Sequence, residues 1–122
     1  MVDDITKEFL ASIEEVSKTL KELNFKFDTM TDKCPAFWIQ FKHHKSKVIV
    51  KYCFGPPQYE LVFSMIIHGK IYEFKDLLQI EYISDWVKKN RYIPNKQRSI
   101  YQEMMWDVEL IKVVLQFFKI QL

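Results

Sequence analysis

AFWIQFKHHKSKVIVKYCFGPPQYELVFSMIIHGKIYEF, residues 36–74, is the stretch that decides the fold. Its apolar period is two. Phe37, Ile39 and Phe41 alternate with Trp38, Gln40 and Lys42, and Val48, Val50, Tyr52 and Phe54 alternate with Ile49, Lys51 and Cys53. Tyr59, Leu61, Phe63, Met65 and Ile67 then alternate with Glu60, Val62, Ser64 and Ile66. Polar turn residues separate the runs: His43-His44-Lys45-Ser46, Gly55-Pro56-Pro57, and His68-Gly69 before Ile71 to Phe74. Such runs predict antiparallel hairpins.

Tight turns predict pairs Phe41–Val48, Ile39–Val50 and Phe37–Tyr52, then Phe54–Tyr59, Tyr52–Leu61 and Val50–Phe63, and last Ile67–Lys70, Met65–Tyr72 and Phe63–Phe74. All of these put the strongly apolar positions on one face, and a one-residue slip would flip a whole strand. The opposite face then carries Trp38, Gln40, Ile49, Lys51, Val62, Ser64, Ile66, Ile71 and Glu73.

Outward from this stretch the period becomes helical. Ile5, Phe9, Ile13, Val16, Leu20 and Leu23 step by 4, 4, 3, 4 and 3 residues, an amphipathic helix over about 3–23 with Asp3 or Asp4 at its start. Asn24 to Met30 reads as a short strand, ended by the breaker Thr31-Asp32-Lys33-Cys34-Pro35. Leu77, Ile80, Ile83 and Val87 suggest one helix or two short turns between Lys75 and Asn90, Asp76 being a helix-start residue. The loop from Arg91 to Arg98 leads to Ser99, a good N-cap. Beyond it Tyr101, Met104, Val108, Ile111, Leu115 and Phe118 form one apolar row, and Trp106, Leu110, Val113 and Phe117 a second. A helix with two such rows is central, or it lies in a subunit interface.

The expectation is α+β: an N-terminal helix, a four- to five-stranded antiparallel meander, and C-terminal helices packed on one sheet face. With 122 residues the chain reads as a single domain, 1–122. Its 48% apolar and 28% charged content argues against disorder. Nineteen aromatic rings (10 Phe, 6 Tyr, 3 Trp) suit a Phe-rich core.

Net charge is only +2, but it is unevenly spread. Residues 1–32 hold 8 acids against 4 lysines, and residues 33–58 hold 5 lysines and no acid. Two faces of opposite sign can result. The basic hairpin 42–51 and the cluster Lys88-Lys89-Asn90-Arg91 with Lys96 and Arg98 raise nucleic-acid binding as a reading. No recognition motif accompanies them, and near-neutral charge disfavours it.

Enzyme signatures are missing. There is no GxSxG, HExxH, Walker loop or GxGxxG, and the chain has 2 glycines in all. No catalytic residue, cofactor or metal site is expected. His43, His44 and His68 fall in turns at one sheet end, where exposed histidines are the simpler expectation than a metal cluster. Cys34 and Cys53 show no metal-ligand spacing and suit reduced thiols. Asp3 and Asp4 stand where a signal peptide would need lysines, and no apolar stretch spans a bilayer, so a cytoplasmic location without membrane attachment is expected.

The segments FWIQF (37–41), KVIVKY (47–52), YELVFSMII (59–67), KIYEFKDLLQI (70–80) and IKVVLQFF (111–118), behind an amphipathic helix, resemble in layout the small cytoplasmic immunity proteins that bacteria encode beside polymorphic or contact-dependent toxins. The likeness runs over roughly residues 5–118. It implies a non-enzymatic inhibitor that neutralises a cognate toxin by binding it. Alternatives are a structural or regulatory homodimer joined through the C-terminal helix, and a nucleic-acid binder using the 42–51 hairpin. The partner-binding candidates are Trp38, Ile49, Lys51, Val62 and Ile66, apolar anchors with a lysine on a face that would otherwise be polar. The competing expectation is that residues 75–98 fold over this face.

Overall fold

The computed structural model describes residues 4–33, 36–55, 61–90 and 99–120. Its elements are α1 (Asp4–Glu22), β1 (Phe25–Lys33), β2 (Ala36–His43), β3 (Ile49–Phe54), β4 (Val62–Ile67), β5 (Lys70–Glu73), α2 (Phe74–Leu77), α3 (Glu81–Asn90) and α4 (Ile100–Phe117). The five strands form one antiparallel meander in chain order. The α+β expectation holds, with five strands and two separate helices between Phe74 and Asn90.

Local chemistry marks the start of α4 and the end of α1. Ser99 Oγ accepts a hydrogen bond from the Gln102 N–H at 3.1 Å, and Gln102 Oε1 accepts from the Ser99 N–H at 3.0 Å. This reciprocal box satisfies two otherwise orphaned donors at the start of α4. At α2, Asp76 Oδ2 accepts from the Glu73 N–H at 2.9 Å, so Asp76 is a helix-start residue. The exit from α1 turns on Asn24 at φ 67°, a left-handed conformation that asparagine tolerates.

One layer of core joins the inner sheet face to the helices. Ile39, Phe41, Val50, Tyr52, Phe54, Phe63, Met65 and Ile67 supply the sheet side, and Phe9, Val16 and Leu20 of α1 meet them. Phe9 stacks on Phe54 with ring centroids 4.5 Å apart. α1 also packs on α4, and Glu8 Oε1 accepts the Ile100 N–H at 3.2 Å to fix where α4 starts. Met104, Val108, Leu110, Ile111, Val113, Val114 and Leu115 are all buried, so α4 is central. α3 packs against α4 rather than crossing the sheet.

The register corrects the tight-turn expectation by two residues at two hairpins. Phe41 pairs with Val50, Ile39 with Tyr52 and Phe37 with Phe54; Tyr52 pairs with Phe63 and Val50 with Met65. The first shift has a visible cause. His43 continues the ladder, its N–H donating to Val48 O at 2.9 Å, so the loop is wider than a two-residue turn. At the second hairpin residues 56–60, including Tyr59, lie outside the described residues. Parity is unchanged, so every inward residue stays inward. The third hairpin is as expected: Ile67 pairs with Lys70 and Met65 with Tyr72, across a turn in which His68 (φ 52°) and Gly69 (φ 80°) are both left-handed. The expected Phe63–Phe74 pair is absent because Phe74 opens α2.

β1 is longer than expected and runs through the first three residues of the expected breaker: Thr31 pairs with Trp38 and Lys33 with Ala36, while Cys34 and Pro35 lie outside the described residues. A bulge between Phe27 and Thr29 absorbs one residue. Ladder pairing along a whole neighbouring strand outweighs the weak local preferences of Thr, Asp and Lys.

Candidate functional site

The register arranges the outer sheet face in three rows. Trp38, Cys53 and Val62 make the first; Gln40, Lys51, Ser64 and Glu73 the second; Lys42, Ile49, Ile66 and Ile71 the third. β1 adds Thr31, Thr29 and Lys26 to these rows. All five partner candidates therefore share one face. Trp38 is 43% exposed, Val62 51% and Ile71 57%, whereas Ile49, Lys51 and Ile66 are half-buried by their row neighbours. The competing expectation, that residues 75–98 cover this face, fails for 75–90, because α3 lies on α4 with Ile83 buried there. Residues 91–98 lie outside the described residues.

The exposed charge on this face is mostly basic. Among the described residues of these rows, Lys26 and Lys42 in the third and the half-buried Lys51 in the second stand against the carboxylate of Glu73. The acidic residues of α1, among them Glu14, Glu15 and Glu22, are exposed on the helical side. Lys7, Lys18 and Lys21 are exposed on the same helix, so the helical side carries both signs and the opposite-sign faces expected from the sequence are not cleanly separated. Of the second basic cluster, Lys88 and Lys89 are exposed on α3, and Arg91, Lys96 and Arg98 fall outside the described residues.

The histidines correct another expectation. His44 and His68 are exposed, but His43 is only 2% exposed. Its Nδ1 accepts the Ser46 N–H at 3.2 Å, which leaves the hydrogen on Nε2. That nitrogen is buried without a hydrogen-bond partner, and the ring stands edge-on to Phe25 at 5.0 Å. Burial, then the nearby His44 and Lys45, lower the His43 pKa. This ring is a neutral strut of the loop. Among the described residues no group of three His, Cys, Asp or Glu could hold a metal ion.

A second feature was not visible in the sequence. Between β4, the β5–α2 junction and α4 lies a cleft of about 400 Å³, lined by Leu61, Phe63, Phe74, Glu103, Trp106 and Asp107 among others. Glu103 and Asp107 are one turn apart on α4, so both carboxyls reach the same side. Glu73 and Lys75 also line it and pair with each other at 3.4 Å. Trp106 stands 6.2 Å from Phe74, and its indole N–H donates to Asn90 O at 2.8 Å.

Beneath the cleft the Tyr52 hydroxyl is buried without a hydrogen bond of full geometry. It nevertheless lies close enough to the Asp107 carboxyl for the two to couple. Burial, reinforced by Glu103, pushes the Asp107 pKa up to about 8, while the Tyr52 hydroxyl works in the other direction. Burial and Asp107 together raise Tyr52 well above the ordinary tyrosine value. Asp107 falls between the two apolar rows of α4, flanked by Trp106 and Val108, and that position was the signal available in the sequence.

Among the described residues no helix is long and apolar enough to cross a membrane. No family model, no curated protein and no solved structure matches the chain.

Proposed function

We propose that the chain is a non-enzymatic protein-binding module, an immunity-type inhibitor that captures a cognate toxin on the outer face of its sheet. One observation carries this reading: two apolar cross-strand rows, with Trp38, Val62 and Ile71 substantially exposed, and no described helix packed over them. A solvated antiparallel face alternates to polar residues. An exposed aromatic anchor among aliphatic neighbours with a polar surround is the composition of a binding hot spot.

Charge selects the kind of partner. Lys26, Lys42 and Lys51 border the apolar rows, so the complementary surface is an apolar projection flanked by carboxylates. Docking over a carboxylate-bearing active site would block it sterically while the lysines neutralise its charge.

The test is co-expression with the product of the reading frame beside this gene, scored by growth. The wild-type chain is expected to restore growth. Val62→Glu, which puts a carboxylate at a half-exposed position, is expected to abolish the rescue with no loss of melting temperature. Full rescue by Val62→Glu would show that this face is not the docking surface.

A further inference from the structure

We propose that the loop linking β2 to β3, residues 44–48, is an acid-released latch: the neutral His43 ring holds it shut, and a proton on that ring opens it. The device is built from the fold alone, so it stands whether or not the outer face docks a protein.

The chain is wrapped around one lone pair. His43 ends β2, pairs with Phe25 and is 2% exposed, its ring edge-on to that of Phe25 at 5.0 Å. Its Nδ1 accepts the Ser46 N–H at 3.2 Å, and the Ser46 hydroxyl lies 2.9 Å from the same atom. Ser46 Oγ accepts in turn from the Val48 N–H at 3.3 Å. The backbone on either side is tied down: the His43 N–H donates to Val48 O at 2.9 Å, and the His44 N–H to Asn24 O at 2.7 Å. An imidazole nitrogen that accepts an N–H carries no hydrogen, so the closed loop requires the neutral ring with its hydrogen on Nε2.

Protonation disturbs both nitrogens. The Ser46 hydroxyl can turn to take a hydrogen placed on Nδ1, but the Ser46 N–H is then left facing a donor. Across the ring Nε2 is already buried with no acceptor, and a positive charge raises the cost of leaving it unpaired. The charged and titratable groups around the ring, among the described residues, come from four places. Lys42, His44, Lys45 and Lys47 lie beside it in the chain, and Lys26 and Asp28 of β1 line a surface cleft with it. Lys21 and Glu22 are exposed at the end of α1, ahead of Asn24. Asp28 and Glu22 are exposed while Nε2 is buried, and burial, then His44 and Lys45, prevail to lower the His43 pKa. Turning the ring out to water relieves both defects and withdraws the acceptor that holds Ser46 back. Lys42 and Ile49 pair at the foot of the loop, so its opening loosens the third outer row from one end.

Proton linkage sets the direction. Above the ordinary histidine value of about 6.5 the ring is neutral in both forms, and the loop is closed. Between that value and the lower one of the closed form, only the open ring takes the proton. Each pH unit of that interval shifts the balance toward the open loop about tenfold.

The experiment is NMR of the nitrogen-15-labelled chain from pH 7.5 to pH 4.5. Amide hydrogen exchange, corrected for its intrinsic pH dependence, and the imidazole nitrogens are followed in the same samples. At pH 7.5 His43 should carry its hydrogen on Nε2, and the Ser46 amide should be protected. Below about pH 6.5 the protection of the Ser46 and His44 amides should fall about threefold or more, in step with His43 protonation, while the amides of α4 keep theirs. His43→Gln has no titrating ring, so its Ser46 amide should show no such step. Should that variant fail to fold, the coincidence of the two midpoints in the wild-type chain decides alone. A hydrogen on Nδ1 at pH 7.5, protection that outlasts ring protonation or persists to pH 4.5, a loss shared by α4, or the same step in folded His43→Gln would each overturn the proposal.

Discussion

Asp107→Asn keeps the shape of the side chain and removes its proton equilibrium, which makes it a direct probe of the buried carboxyl. In the fold Asp107 keeps its proton up to about pH 8. In the unfolded chain it releases that proton near the ordinary aspartate value of about 3.9. Between these two values the native state binds more protons than the unfolded state, so stability falls as pH rises. The slope for one group is at most about 1.4 kcal/mol per pH unit. Over a gap of roughly four units the ceiling is about 5.5 kcal/mol, and water reaching a partly exposed carboxyl brings the expected loss to about 2–4 kcal/mol. Asparagine has no such equilibrium. Urea unfolding of both proteins from pH 4 to pH 9 should therefore show a constant offset at the acid end, from the changed hydrogen bonding. Above it the difference should grow by about 2–4 kcal/mol in favour of the variant. A pH-independent difference would refute the reasoning, since it would mean that Asp107 ionises in the fold as it does in the unfolded chain.

Other expectations follow from the packing. Phe63→Ala removes a buried ring that contacts Tyr52 at 5.6 Å between centroids, and should cost about 3–5 kcal/mol in denaturant unfolding. Under 1 kcal/mol would place Phe63 outside the core. His43 has a lowered pKa, so its contribution to stability is present above its unfolded value of about 6.5 and is lost as pH falls through the folded one. An NMR titration should show the His43 ring protonating below the ordinary histidine value of about 6.5, and protonation at that value would contradict its burial. Association with a protein partner on the lysine-bordered face should slow as ionic strength rises.

Much of the scaffold could be read from residues alone, and what escaped has a common physical reason. Helical spacing located α1, and the hydroxyl of Ser99 marked the start of α4. Alternation from Phe37 to Ile67 fixed which side chains face inward, and so brought Trp38, Ile49, Lys51, Val62 and Ile66 together on the other face. Alternation has period two, so it cannot distinguish registers that differ by two residues. That shift was decided by His43 extending the ladder to Val48, a contact at the end of β2 that leaves no mark on hydropathy. The pairing of Tyr52 with Asp107 was hidden for a similar reason. Tyr52 counted as one more inward aromatic, and only tertiary packing brings α4 over its hydroxyl.

The central claim, that the outer sheet face is a docking surface, is tested most directly by Trp38→Ala, with melting temperature and affinity for the neighbouring gene's product measured on the same preparation. Trp38 is 43% exposed and lies outside the helical layer, so the account predicts a small change in melting temperature and a loss of binding of about 2 kcal/mol or more. Unchanged affinity, or a large drop in melting temperature, would contradict it.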